Sequence, residues 1–173
     1  SRGLGDVYKR QGEYHDRLFP YDPVPRIIES DEYDELEKGL KQRVNALNAY
    51  LKDIYSDKAI IHDGVVPEEY VYTSAGYFPQ VNGVTPPGGI FAHIAGEDLV
   101  QGEDGRWWVL EDNLRIPSGA SYPLFVRDIE RRISPRLFRD VRIRDNREYP
   151  RLLRKAMDFV STEGIAVVLT PGR

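Results

Sequence analysis

Two acids and an amide, Asp98, Glu111 and Asn113, fall in a stretch whose pattern reads as a β-hairpin. Phe91–Val100 reads as one strand, Gln101–Gly105 as a turn and Arg106–Asn113 as a second strand, because an Asp-Gly pair between apolar runs favours a tight turn. Side chains alternate along a strand, so Glu111, Asn113 and, one step further, Arg115 share a face. A two-residue turn at Asp104-Gly105 pairs Glu103 with Arg106 and puts Asp98 directly opposite Glu111. A four-residue turn over Gly102–Gly105 makes Asp98 the diagonal neighbour of Glu111 on the same face, and a three-residue turn sends Asp98 to the other face. Acids directly opposite one another lie about 5 Å apart at Cβ and repel. A hard divalent cation offsets that repulsion. Magnesium takes oxygen ligands, commonly one or two carboxylates, and completes its shell with water and substrate phosphates. Asp98, Glu111 and the Asn113 amide oxygen form such a set. Arg115 can reach a phosphate oxygen, and Ser118, Gly119 and the start of the next helix offer backbone N–H groups to an anion.

Other chemistries fit less of this pattern. Hairpins display acids on solvated faces, and Asp112-Asn113 can simply open a turn. A glycosidase pair, one acid and one nucleophile, uses two carboxylates but leaves Asn113 and Arg115 idle. The chain contains no cysteine, which excludes disulfides, thiolate metal sites and cysteine nucleophiles. It has no GxxxxGK loop, so a P-loop nucleotide site is not available, and no Ser–His–Asp set stands out. His93 lies five residues before Asp98, on the other face and at no metal-ligand spacing, and is read as structural. His62 sits beside a turn and is read as exposed. Trp107 and Trp108 straddle the two faces of one strand, which places at least one of them in the core.

The elements around the hairpin follow from periodicity. Ser30, Asp31 and Glu32 open a helix with a hydroxyl and acids in the first turn. Tyr33, Leu36, Leu40, Val44, Leu47, Leu51 and Ile54 then recur at steps of three and four, giving an amphipathic helix to about Tyr55 whose stripe faces the core. Three prolines and three glycines make Pro79–Gly89 a loop, and Pro20, Pro23 and Pro25 make Glu13–Glu29 an extended or turn-rich lead-in. Ser121 can cap a helix running to about Ile133, and a second helix spans roughly Glu148–Ser161. The 173 residues, 40% hydrophobic and 30% charged, have globular composition, and no stretch approaches 18 apolar residues, so no membrane span is expected. The formal net charge of −4 names no partner. The stretch from Arg127 to Lys155 differs, with eleven Arg or Lys against five Asp or Glu. It reads either as solvated helix faces or as a surface for nucleic acid or another polyanion. The spacing lacks the interleaved aromatics of single-strand binders, so nucleic acid is the less favoured partner.

GGIFAHIAGEDLV followed by WWVLEDNLRIPSGASY resembles the circularly permuted ATP-grasp family related to glutathionylspermidine synthase. PRIIESDEYDELEKGLKQRVNALNAYLKDIY, DGVVPEEYV, VNGVTPPGGI and the closing VVLTPG resemble it too, so the likeness covers nearly everything after Gln11. The resemblance implies a bacterial, cytoplasmic, ATP-dependent carboxylate–amine ligase working through an acyl phosphate, with ATP and Mg2+ as cofactors and a small-molecule or peptide carboxylate and an amine as substrates. It implies that Asp98, Glu111 and Asn113 match magnesium-binding positions and that Arg115, Ser118 and Gly119 match the phosphate and acyl-phosphate region. Arg115 and Ser118 are the expected catalytic residues, and Arg115 and Gly119 the expected nucleotide contacts. Phe125 and Val126 depart from the family, which commonly has Glu-Asn before the arginine at this point. The expected fold is α/β of the α+β kind, a mostly antiparallel hairpin packed by helices. Residues 1–11, SRGLGDVYKRQ, resemble translated adaptor sequence from metagenomic assembly and are expected to be loose. Residues 12–173 are expected to be the N-terminal part of the domain, truncated at the C-terminus, with Ile165–Arg173 a buried strand entering a loop. A fragment without the nucleotide-clamping part is expected to be inactive by itself.

Overall fold

The computed structural model describes residues 5–10, 13–18, 20–161 and 163–167. Strands β1 (Gly5–Arg10) and β2 (Glu13–Leu18) form one antiparallel hairpin. Helix α1 (Ser30–Ile54) is followed by the short helices α2 (Ala59–His62) and α3 (Glu68–Tyr72) and by single 3-10 turns at Pro79–Val81 and Pro87–Gly89. Strands β3 (Gly96–Gln101) and β4 (Trp107–Asn113) form a second antiparallel hairpin, and α4 (Ser121–Ile133), α5 (Pro135–Asp140) and α6 (Tyr149–Val160) complete the chain. The described residues are therefore a mixed α and β structure whose sheets are both two-stranded and antiparallel.

The core lies where α1 ends. Ile54, Tyr55 and Val71 are buried together, with Leu51, Ile60, Val66 and Phe91 against them. Rings continue the packing: Tyr55 stacks on Tyr77 at 5.3 Å and on Phe91 at 5.8 Å, and Tyr72 meets Tyr77 edge-on. Asp53 turns the chain after the helix, because its carboxylate accepts from the backbone N–H of Ala59 and of Ile60 (3.0 and 2.9 Å) and so caps α2. Tyr55 then fixes the loop beyond α3. Its carbonyl accepts from Gly83 N–H (2.8 Å) and its hydroxyl from Phe78 N–H (3.1 Å).

This core is small. Only Ile54, Tyr55, Val71 and Ala92 are buried hydrophobics among the described residues. The accessible surface is 14574 Å², against about 8,700 Å² for a compact chain of this mass. Large side chains such as Trp108, Leu110, Ile116 and Phe125 are exposed.

Several sequence expectations shift. Strand β3 begins at Gly96, not Phe91, because the backbone of Phe91 and Ala92 is engaged by Asn48 of α1 and cannot join a ladder there. Ser30 and Ser121 are first helical residues, not caps; Glu29 and Ala120 hold the N-cap positions, with no side-chain capping bond. Residues 5–10 of the expected loose N-terminus are a paired strand, as are residues 13–18 of the expected lead-in. Ser1–Leu4 and Gln11 lie outside the described residues. Of the expected buried strand at the other end, Ile165 is 91% exposed and residues 165–167 form no strand. A strand needs a neighbour, and each described strand already pairs within its own hairpin; residues 168–173 lie outside the described residues.

Candidate functional site

The β3–β4 turn differs from both turns that would place Asp98 beside Glu111. Gly102 N–H donates to the Arg106 carbonyl (2.8 Å), Gly105 N–H donates back to the Gly102 carbonyl (3.0 Å), and Gly105 has φ +78°, so three residues, Glu103–Gly105, make the loop. This is the type I turn closed by a left-handed glycine. Gln101 then pairs with Trp107, Val100 with Trp108 and Leu99 with Val109. Continued unbroken, that register would turn Glu111 to the inner face. The ladder instead skips Leu110, a one-residue bulge, and resumes with Asp98 opposite Glu111, Glu97 opposite Asp112 and Gly96 opposite Asn113. The odd loop and the bulge cancel.

Asp98, Glu111 and Asn113 therefore lie exposed on one face of the hairpin, which also carries Val100 and Trp108. Asn113 Nδ2 donates to Glu111 Oε1 (2.8 Å). The Asp98 side chain has no hydrogen-bond or ion-pair partner among the described residues. No group of three or more His, Asp or Glu is placed to hold a metal among those residues, so the oxygen donors here are two carboxylates and one amide.

The other face is turned toward α1 and is tied to it by side-chain bonds, with a cavity between Leu36 and Leu40 of the helix and Leu99, Trp107 and Val109 of the hairpin. Arg43 grips Asp112 with both arms of its guanidinium, Nε to Oδ1 at 2.6 Å and Nη2 to Oδ2 at 2.7 Å. Those bonds hold the Asp112 carboxyl below the usual carboxylate range and raise Arg43 above its ordinary value. Nearer the turn, Glu32 Oε1 accepts from Gln101 Nε2 (2.9 Å) and Trp107 Nε1 (2.8 Å), while the Arg26 guanidinium lies 5.0 Å from the Trp107 ring centroid. Trp107 is thus the inward tryptophan, and Trp108, 55% exposed, the outward one.

Beyond β4 the chain folds back. A Cβ on Gly96 would lie 3.1 Å from Pro117 Cβ, so the absence of a side chain there lets the loop after Asn113 approach the start of β3. Arg115, Ser118 and Gly119 are exposed on that loop, and Gly119 has φ +91° immediately before α4. Arg115 has no carboxylate partner among the described residues; its guanidinium rests on the Phe78 ring, 5.6 Å from the centroid. The acids and the amide thus share one strand face, and the three residues expected to meet phosphate share the adjoining loop.

About half of the basic stretch is ion-paired among the described residues. Six of its eleven cations, Arg131, Arg139, Arg144, Arg147, Arg151 and Arg154, make ion pairs. Arg144 reaches across to the start of α1, bonding Ser30 Oγ (2.7 Å) and Asp34 Oδ1 (2.6 Å). His93 is exposed, with its ring against Phe159 of α6.

Sequence reasoning did not single out Arg43, Asn48 or Phe78. A signal existed for Arg43, since Leu36, Leu40, Arg43 and Leu47 follow the same steps of four, three and four as the apolar stripe.

An antiparallel hairpin carrying cross-strand acids, facing a long helix and followed by a glycine loop, is the frame that positions these residues. Residues 25–173 match the family described as a circularly permuted ATPgrasp, and the chain belongs to that family. It is 44% identical over 161 residues to an uncharacterized protein of Synechocystis sp., covering 91% of this chain and 34% of the relative. It is 43% identical over 161 residues to an uncharacterized protein of Mycobacterium tuberculosis, covering 91% and 29%. It is also 44% identical over 133 residues to a Frankia casuarinae protein named "Putative glutamate--cysteine ligase 2-2", covering 77% and 15%. The chain thus spans about a third or less of the relatives it matches. No described helix is long and apolar enough to cross a membrane.

Proposed function

We propose that this chain is the metal- and phosphate-binding part of an ATP-dependent carboxylate–amine ligase. The observation that carries the reading is the placement of Asp98 directly opposite Glu111 on an exposed face, with Asn113 bonded to Glu111. The donor set fits magnesium, which accepts one or two carboxylates and leaves the rest of its shell to water and phosphate oxygens. Asp98, Glu111 and the Asn113 amide oxygen would hold it. When bound, the ion neutralises charge on a transferring phosphoryl group.

In this reading the chain's own residues bind and orient. Arg115 donates to phosphate oxygens from the loop beside the acids, with its guanidinium plane supported on Phe78. The Ser118 hydroxyl and the N–H groups around Gly119 add donors for an anion. ATP phosphorylates the substrate carboxylate, releasing ADP. The amine then attacks the acyl carbon, and phosphate leaves as the amide forms. Holding the phosphoryl donor in line with the carboxylate supplies much of the rate. The Frankia relative's name supports a ligase and fits a carboxylate–amine pair.

The test is ATP-dependent ADP release by a full-length protein carrying this segment, assayed with candidate carboxylates and amines. At saturating Mg2+, Glu111→Gln is expected to lower turnover severely with the fold intact, and Asp112→Asn, on the opposite face, far less. Equal effects of the two substitutions would contradict the assignment.

A further inference from the structure

We propose that Arg43 is the positioning residue of the Asp98–Glu111–Asn113 face, acting through Asp112; this rests on the reading of that face as the metal and phosphate site. Asp112 lies between Glu111 and Asn113 on β4 and, by strand alternation, points the other way. Whatever fixes Asp112 therefore sets the roll of the strand about its own axis, and with it the direction in which its two neighbours project.

The contact is built for that purpose. A guanidinium fork meeting a carboxylate at 2.6 and 2.7 Å constrains position and plane together, which a single point contact does not. The Asp112 side chain is 16% exposed and the Arg43 side chain 44%, so the carboxylate is sheltered while the guanidinium reaches it from the solvent side, and the fork joins two residues 69 apart in sequence. Its place along the strand matters as much. The ladder is broken at Leu110, two residues earlier, and a bulge removes pairing and adds twist. Residues 111–113 follow that break. Glu32 holds the turn end of the hairpin through Gln101 and Trp107, and Arg43 supplies the second hold beyond the bulge.

Charge points the same way. Two successive cross-strand rungs are entirely acidic, Asp98 with Glu111 and Glu97 with Asp112. Like charges directly opposite destabilise a pair of strands. Arg43 presents its cation to these rungs from behind, bonded to Asp112 and within electrostatic reach of Glu97. It offsets the repulsion without occupying the outer face, where a metal and phosphates would sit.

The experiment measures Mg2+ affinity by titration calorimetry, and separately the Mg2+ dependence of ADP release, in a full-length protein carrying this segment, for the parent and for Arg43→Met, Arg43→Lys, Asp112→Asn, Arg43→Met with Asp112→Asn, and Glu111→Gln. Thermal melts check that each variant is folded. Loss of a residue that orients metal ligands commonly costs 10–100-fold in metal affinity or activity, so Arg43→Met should raise the half-saturating Mg2+ about tenfold. Most of the turnover lost at limiting Mg2+ should return in excess Mg2+. Arg43→Lys, which keeps the charge but not the fork, should fall between. The double variant should shift no further than the larger single shift, because both changes break one contact. Glu111→Gln, which removes a ligand, should lose turnover at every Mg2+ concentration. A parental Mg2+ dependence in Arg43→Met, beside a collapsed Glu111→Gln, would overturn the role of Arg43 and leave the site standing. So would a loss in Arg43→Met that excess Mg2+ does not relieve, or additive shifts in the double variant. A Glu111→Gln protein with parental turnover would overturn the site itself. Should Arg43→Met fail to fold, Arg43→Lys and Asp112→Asn carry the same comparison, and a parental Mg2+ dependence in both would overturn the inference.

Discussion

Asn48→Ala is expected to destabilise the fold by an amount that its hydrogen bonds set. The Asn48 side chain on α1 accepts from Phe91 N–H (3.0 Å) and Ala92 N–H (2.9 Å) through Oδ1, and donates to the Ala92 and Val44 carbonyls (both 3.1 Å) through Nδ2. It thereby ties the segment leading into β3 to the helix. Truncation leaves three backbone groups of Phe91 and Ala92 without these partners, in a site where Ala92 is buried. Each buried polar group left unpaired costs about 1–3 kcal/mol, and a part-buried position lets water recover some of it, so the expected total is about 2–4 kcal/mol. Urea unfolding followed by far-UV circular dichroism measures this. Asn45→Ala is the control, since Asn45 is exposed and makes no hydrogen bond through its side chain among the described residues; it should stay within about 0.5 kcal/mol of the parent. An Asn48→Ala midpoint equal to that of the control would refute the view that this side chain pins the approach to the acidic hairpin.

Three further outcomes are expected. Gly88→Ala would place a Cβ 2.7 Å from Phe159 Cζ at φ +65°, and should lower the melting temperature; adding Phe159→Leu should restore only part of the loss, because the left-handed backbone still costs about 1–2 kcal/mol. Asp112 is depressed by Arg43, so the stability from that contact is present above the unfolded carboxylate value of about 4 and lost as pH falls through the lower folded value; between pH 5 and 2.5 the parent should lose more thermal stability than Asp112→Asn, and identical losses would contradict the contact. With six of the eleven basic residues from Arg127 to Lys155 already ion-paired, generic duplex DNA should bind weakly near physiological salt, and tight, steeply salt-dependent binding would favour the polyanion reading instead.

Local pattern carried the elements and missed the contacts that set their ends. The three- and four-residue steps from Tyr33 to Ile54 specify α1 closely, and the Asp-Gly pair specifies a hairpin. Register was not legible. The run Trp107-Trp108-Val109-Leu110 gives no cue that Leu110 falls out of the ladder, and the left-handed Gly105 serves a three-residue loop as readily as a two-residue one. A turn that alone would have separated Asp98 from Glu111 is corrected by a bulge that the same sequence conceals. The start of β3 was missed because Asn48, more than forty residues away, takes the backbone of Phe91 and Ala92. In the Arg127–Lys155 stretch the pairing of Arg144 was not legible, because its partners in α1, Ser30 and Asp34, are distant in sequence, whereas the other ion pairs of the stretch are local.

The most direct test of the central claim is to add Mn2+, a paramagnetic stand-in for Mg2+, to the 15N-labelled chain and follow its backbone amide signals. The account predicts that the amides of residues 97–99 and 110–114 broaden first, and that this selective broadening disappears in Glu111→Gln. Broadening centred on the acids of α1, such as Glu35 and Glu37, or spread evenly over all surface acids and unchanged by Glu111→Gln, would contradict it.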